Sequence, residues 1–134
     1  MSLLEVNDLS VEFRTSDGIV KAVDGVSFKV DRGETLAIVG ESGSGKTVTN
    51  LAIMGLLPNK IADISGSAKL DTGGSPIDLL TIPPSELRKI RGKDVAMIFQ
   101  DPMSALHPYY TIGAQIIEAH QIHNQCDEVE SSKR

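Results

Sequence analysis

Gly40-Glu41-Ser42-Gly43-Ser44-Gly45-Lys46-Thr47 matches G-x-x-x-x-G-K-[ST] at every fixed position, and its reading decides the fold. Gly40, Gly43 and Gly45 permit positive φ, so the backbone N–H groups can turn inward around a bound anion. They also remove side chains that would collide with it. Lys46 supplies a flexible cation for the β- and γ-phosphate oxygens of a nucleotide, and Thr47 a hydroxyl for Mg²⁺. A helix opening at Gly45 would aim its positive end at the same phosphates. The expected ligand is therefore a nucleoside triphosphate, ATP with Mg²⁺.

The flanks carry the signals that such a loop requires. Before it, Leu36-Ala37-Ile38-Val39 is apolar without alternation, which predicts a strand over 35–39 buried on both faces. After it, Val48, Leu51, Ala52, Gly55 and Leu56 recur at helical spacing, with Pro58 as the expected stop. Further out, Leu3–Val6 and Leu9–Phe13 read as short strands. Ser16-Asp17-Gly18 is a turn signal. Ile19–Val23 and Val26–Val30 read as a returning strand bent at Asp24-Gly25, before a turn at Asp31-Arg32-Gly33-Glu34. These segments predict an antiparallel β layer. Ile64–Leu70 and Ile77–Leu80 are further apolar stretches. Pro83-Pro84-Ser85 opens a short basic helix over 85–91. Val95–Phe99 repeats the continuous apolar pattern of a buried strand, and Ile112–Ile122 has helical spacing, with Ile112, Ile116, Ala119 and His120 on one side.

Composition narrows the classes of function. The 134 residues are 40% hydrophobic and only 4% aromatic, with no Trp, so any core is aliphatic. A net charge of −5 argues against nucleic-acid binding, which favours a basic face. The single cysteine, Cys126, precludes an intrachain disulfide and fits a reducing compartment. The start Met1-Ser2-Leu3-Leu4-Glu5 lacks the basic and apolar regions of a signal peptide, and no run of 18 apolar residues would span a membrane. His120, His123 and Cys126 lie three apart and would cluster on a helix face. A Zn²⁺ site is conceivable there, but a polar helix surface is the simpler reading. Lys89, Arg91 and Lys93 read as a solvated basic face.

The pattern as a whole resembles the nucleotide-binding subunit of ATP-binding-cassette (ABC) transporters, from Leu3 to about His123. Leu4-Glu5-Val6-Asn7-Asp8-Leu9-Ser10-Val11-Glu12-Phe13 is similar to the family's opening strand, and Ala22-Val23-Asp24-Gly25-Val26-Ser27-Phe28 to its second. Glu86-Leu87-Arg88-Lys89-Ile90-Arg91-Gly92, Ala96-Met97-Ile98-Phe99-Gln100-Asp101-Pro102-Met103 and Ser104-Ala105-Leu106-His107-Pro108 resemble the dipeptide/oligopeptide importer branch; many relatives have Asn in place of His107. Nickel importers share much of this pattern, so the solute stays open between peptides and nickel. The implied fold is α/β: a P-loop NTPase core with a partial parallel sheet and helices, plus an N-terminal antiparallel β layer. Residues 1–123 would form the N-terminal part of the ATPase domain, and 124–134 a polar end.

The resemblance also assigns roles. The nucleotide site comprises Gly40, Glu41, Ser42, Gly43, Ser44, Gly45, Lys46, Thr47 and Val48, with Phe13 stacking on the adenine ring. Lys46 and Gln100 fall at catalytic positions, and Thr47 and Gln100 at Mg²⁺ positions. The implied partners are transmembrane permease subunits and a second ATPase subunit, in a homo- or heterodimer, on the cytoplasmic face of the membrane. The stretch after Gln100 would face the permease. The family's Leu-Ser-Gly-Gly-type signature, its Asp-Glu strand and its later His do not occur in these 134 residues. The chain alone is therefore expected to bind nucleotide weakly at best and not to turn it over. Two further readings remain beside this one: a catalytically silent nucleotide-binding module, and a P-loop enzyme of another kind. The second would read Val95–Asp101 as its Mg²⁺-binding strand, but Gln100 interrupts that pattern and no Asn-Lys-x-Asp motif is present.

Overall fold

The computed structural model describes residues 2–101 and 106–124. Pro102-Met103-Ser104-Ala105, Cys126 and the rest of the polar end from 125 onward lie outside them. The chain divides into two compact units, Met1–Leu87 and Arg88–Arg134.

The first unit is built on a four-stranded antiparallel sheet in the order β2-β1-β3-β4. Its strands are β1 (Ser2–Thr15), β2 (Gly18–Asp31), β3 (Ala62–Leu70) and β4 (Ile77–Asp78). β1 and β2 form a long hairpin closed by Ser16-Asp17, with Thr15 opposite Gly18 and the Thr15 hydroxyl donating to the Gly18 carbonyl at 2.8 Å. The two N-terminal apolar stretches are thus one strand with a bulge between them. Asp8 takes the left-handed conformation there, at φ 48°, which Asp tolerates better than most residues. Its N–H donates to the Ser27 hydroxyl at 2.8 Å.

This bulge decides the core. Side chains alternate along an unbroken strand, so Val6 and Leu9 would face opposite ways. The extra residue turns Val6, Leu9 and Val11 all inward, and they are the largest fully buried side chains in the structure. Across from the bulge, Gly66 on β3 approaches so closely that a Cβ would stand 2.6 Å from the carbonyl oxygens of Asn7 and Asp8. Val23, Ala62, Ala68, Leu70 and Leu79 complete the sheet's share of the core. The bend expected at Asp24-Gly25 is a register shift opposite Ser10, whose hydroxyl accepts the Gly25 N–H at 2.9 Å.

Helix α1 (Lys46–Ile53) packs against β1 and β2 through Thr49, Ala52 and Ile53. It stops before the expected proline. Gly55 is left-handed at φ 60°, its N–H donates to the Ala52 carbonyl at 2.9 Å, and the Leu56 N–H reaches back to the Leu51 carbonyl at 2.8 Å. This pair of bonds is a Schellman motif, so Gly55 and not Pro58 ends the helix.

Two expected strands do not form. Residues 35–39 have no sheet partner among the described residues, and Leu36, Ile38 and Val39 are 42%, 44% and 93% exposed. In the second unit, Val95 makes a single bridge to Arg91, while Ile98 and Phe99 are exposed. An apolar run becomes a buried strand only when neighbours supply ladder hydrogen bonds on its edges and cover on its faces. The paired sheet of the described residues is accordingly the antiparallel layer alone.

Helix α2 (Pro84–Ile90) forms where the Pro-Pro-Ser start predicts a helix. In the second unit a tight turn over 90–95 follows, with the Gly92 N–H donating to the Val95 carbonyl at 2.8 Å. Helix α3 (Ile112–Asn124) is capped by Thr111, whose hydroxyl accepts the Ala114 N–H at 3.2 Å. It buries no residue: Ile112 and Ile116, on its expected apolar side, are 63% and 65% exposed.

Candidate functional site

The glycine-rich loop joins the exposed 35–39 segment to α1, and its conformation follows from its glycines. Gly43 and Gly45 adopt φ 81° and 88°, values that disfavour any residue with a Cβ. At Gly40 the limit is space: a Cβ would lie 2.6 Å from the Ser44 hydroxyl and 3.7 Å from the Lys46 ammonium. Gly45 is held against β2, where a Cβ would collide with the Ala22 carbonyl oxygen and touch Val23 at 3.4 Å. The sheet thereby sets where α1 begins.

Lys46 folds back over the loop. Its Nζ donates to the carbonyls of Gly40 and Glu41, each at 2.7 Å, and to the Ser44 hydroxyl at 3.1 Å. Its positive charge therefore sits inside the ring of residues 40–46. The N-cap of α1 is Gly45, and no side chain caps that end. Helix N-termini leave N–H groups without intrahelical acceptors, so this end keeps donors and partial positive charge beside the Lys46 ammonium. Thr47 on the first turn is exposed. Thr49, the one buried polar residue among those described, donates its hydroxyl to the Gly45 carbonyl at 3.0 Å. A tight glycine coil, an uncapped helix start, a lysine and an adjacent threonine hydroxyl form the donor set that a magnesium-bound polyphosphate requires.

Phe13 is half-buried on β1, paired with Val20 on β2 and Ala62 on β3. It lies two residues from Val11 on the same face, and Val11 pairs with Val23, the residue against which Gly45 rests. Gln100 belongs to the second unit and is exposed. His123 packs its ring on Gly92, where a Cβ would stand 2.7 Å from Nε2. Sequence reasoning named Ser44 but not its hydroxyl's contact with Lys46, and it missed the Ala22 carbonyl beneath Gly45. A backbone carbonyl carries no sequence signal, and the Ser44 contact depends on how the loop folds back on itself.

With this geometry in place, residues 23–133 match the protein family described as ABC transporter. The chain belongs to that family. It is 46% identical over 125 residues to the oligopeptide transport ATP-binding protein OppD of Haemophilus influenzae, covering 93% of this chain and 37% of the relative. It is 49% identical over 123 residues to the dipeptide transport ATP-binding protein DppD of the same organism, covering 92% and 36%. The OppD of Bacillus subtilis is 46% identical over 132 residues, covering 98% and 36%. The chain thus spans little more than a third of the length of these relatives. Among solved structures, a dimeric ATP-binding cassette in a post-hydrolysis state with ADP and Pi superposes with a TM-score of 0.74 at 21% identity, over 97% of this chain and 53% of that one. The fold is that of an ABC ATPase.

Proposed function

We propose that the chain carries the ATP-binding part of the ATPase subunit of a peptide importer. The observation that carries this reading is the Gly40–Thr47 loop, with its lysine turned inward and its helix end uncapped. The names of the three relatives described above, oligopeptide and dipeptide transport proteins, support peptides over nickel as the solute class.

In this reading the N–H groups of residues 40–48 surround the phosphates, and Lys46 exchanges its three loop contacts for β- and γ-phosphate oxygens. The Thr47 hydroxyl and the Gln100 carboxamide are the groups that would hold Mg²⁺, which, when bound, neutralises phosphate charge. Phe13 offers its ring to the adenine; base–aromatic stacking of this kind contributes about 1–3 kcal/mol. The second half-site and the general base are contributed from outside these 134 residues, by a further ATPase segment and a dimer partner. Without a positioned base, water activation loses about 10²–10⁴-fold, so the chain alone binds nucleotide without turning it over. Attachment to the cytoplasmic membrane face is peripheral and runs through permease subunits, with the segment after Gln100 as the contact. No helix among the described residues is long and apolar enough to cross a membrane.

A thermal-shift titration tests the site. ATP with Mg²⁺ at a hundred times its dissociation constant should stabilise the chain by about 2.7 kcal/mol, and Lys46→Ala should abolish most of the shift. An equal shift in Lys46→Ala would count against the assignment, and phosphate release by the native chain above that variant's level would overturn the claim that the chain alone does not turn nucleotide over.

A further inference from the structure

A lysine ammonium has three N–H donors, and among the described residues those of Lys46 meet three acceptors of its own loop. The Gly40 and Glu41 carbonyls lie at 2.7 Å each, and the Ser44 hydroxyl at 3.1 Å. A phosphate oxygen can therefore reach the ammonium only by displacing a loop acceptor. The two carbonyls are backbone, common to any sequence at those positions. The Ser44 oxygen is a side-chain acceptor, and its contact is the longest of the three.

The first glycine of the loop makes room for that contact. Gly40 does not adopt positive φ, so its backbone conformation does not call for a glycine. The demand is spatial: a Cβ there would stand 2.6 Å from Ser44 Oγ, against 3.4 Å from Ser44 Cβ and 3.7 Å from Lys46 Nζ. The hydroxyl is thus the atom that an added methyl group would push aside. Ser44 is itself exposed, so its substitution leaves the core untouched.

We propose that Ser44 is a positioning residue that restrains nucleotide binding: its hydroxyl latches Lys46 inside the loop and competes with the phosphates of a nucleoside triphosphate for the ammonium. This rests on the nucleotide reading above and deepens it. Ser44 acts through Lys46, and its hydroxyl subtracts from affinity because it holds the cation that the phosphates require.

Two measurements on the full chain separate the latch from its consequence. The first needs no nucleotide. An amine must leave its acceptors before it can be acylated. The acetylation rate of Lys46 by acetic anhydride, read by peptide mass spectrometry against exposed Lys60, therefore reports the latch. Ser44→Ala should raise that rate about fivefold, the fold-change equivalent to one hydrogen bond of ordinary net strength. Gly40→Ala should raise it as much, and the double variant no further, because both remove the same contact. Ser44→Thr keeps the hydroxyl and should keep the native rate. An unchanged rate in Ser44→Ala overturns the latch. The second measurement is the dissociation constant of ATP with Mg²⁺, by titration calorimetry. It should fall about fivefold in Ser44→Ala and stay native in Ser44→Thr. Unchanged or weaker binding in Ser44→Ala overturns the competition, since the hydroxyl would then be idle or a ligand of the nucleotide itself. If neither the native chain nor Ser44→Ala binds ATP, the nucleotide reading fails, and the competition with it, while the acetylation rates still decide the latch.

Discussion

Gly45 shows how one residue links the sheet to the loop. It is left-handed, it starts α1, and its Cα presses on the Ala22 carbonyl of β2. Gly43 shares the left-handed conformation but has open space around it, with nothing within 4 Å of an added Cβ. The two glycines therefore separate backbone strain from collision. Gly43→Ala should cost about 1 kcal/mol, the left-handed penalty alone. Gly45→Ala should cost about 2–3 kcal/mol, because β2 or the helix start must also shift. Urea unfolding of both variants measures the difference, and equal costs would mean that the Ala22 contact contributes nothing.

At the level of elements, the bulge in β1 governs the core. It is the irregularity that turns Val6 and Leu9 to the same side, and Gly66 is the residue that lets β3 pass across it. Gly66 is left-handed at φ 100° and crowded by two carbonyl oxygens. Gly66→Ala should therefore destabilise the unit by about 2–3 kcal/mol, as much as many core truncations. The check is calorimetry or denaturant unfolding beside Leu9→Ala, for which a loss of about 2–5 kcal/mol is expected. A Gly66→Ala protein as stable as the native one would show that the close approach relaxes freely.

At the scale of the whole molecule, two continuous apolar runs stay uncovered among the described residues. Val39 and Ile98 are each 93% exposed, and apart from the Val95 bridge to Arg91 neither run has a β partner among the described residues. Clustered exposed apolar side chains of this kind mark surfaces that other chain segments cover. The amides of 36–39 and 96–99 should thus exchange with solvent far faster than those of Val6 and Val11. The chain should also bind a hydrophobic dye in its native state. Slow exchange at 36–39 would show that this run is paired in solution.

The sequence by itself determined the local chemistry. The loop Gly40–Thr47, the hairpin turn at Ser16-Asp17, the bend at Asp24-Gly25 and the Pro-Pro-Ser helix start all depend on residues within a few positions of one another, and each was legible there. The family resemblance was legible for the same reason, since it rests on short motifs. Tertiary structure decided what depends on distant partners. It chose Gly55 over Pro58 as the end of α1, because a left-handed glycine that completes two backward hydrogen bonds ends a helix before a later proline can. It turned Val6, Leu9 and Val11 to one side through a bulge that no hydrophobic period announces. It left 35–39 and 96–99 without ladder partners among the described residues, because a strand is a property of a pair and not of a segment. And it brought the Gln115 side chain onto the backbone of His107 and Tyr110, a contact set by how a turn folds back on its helix.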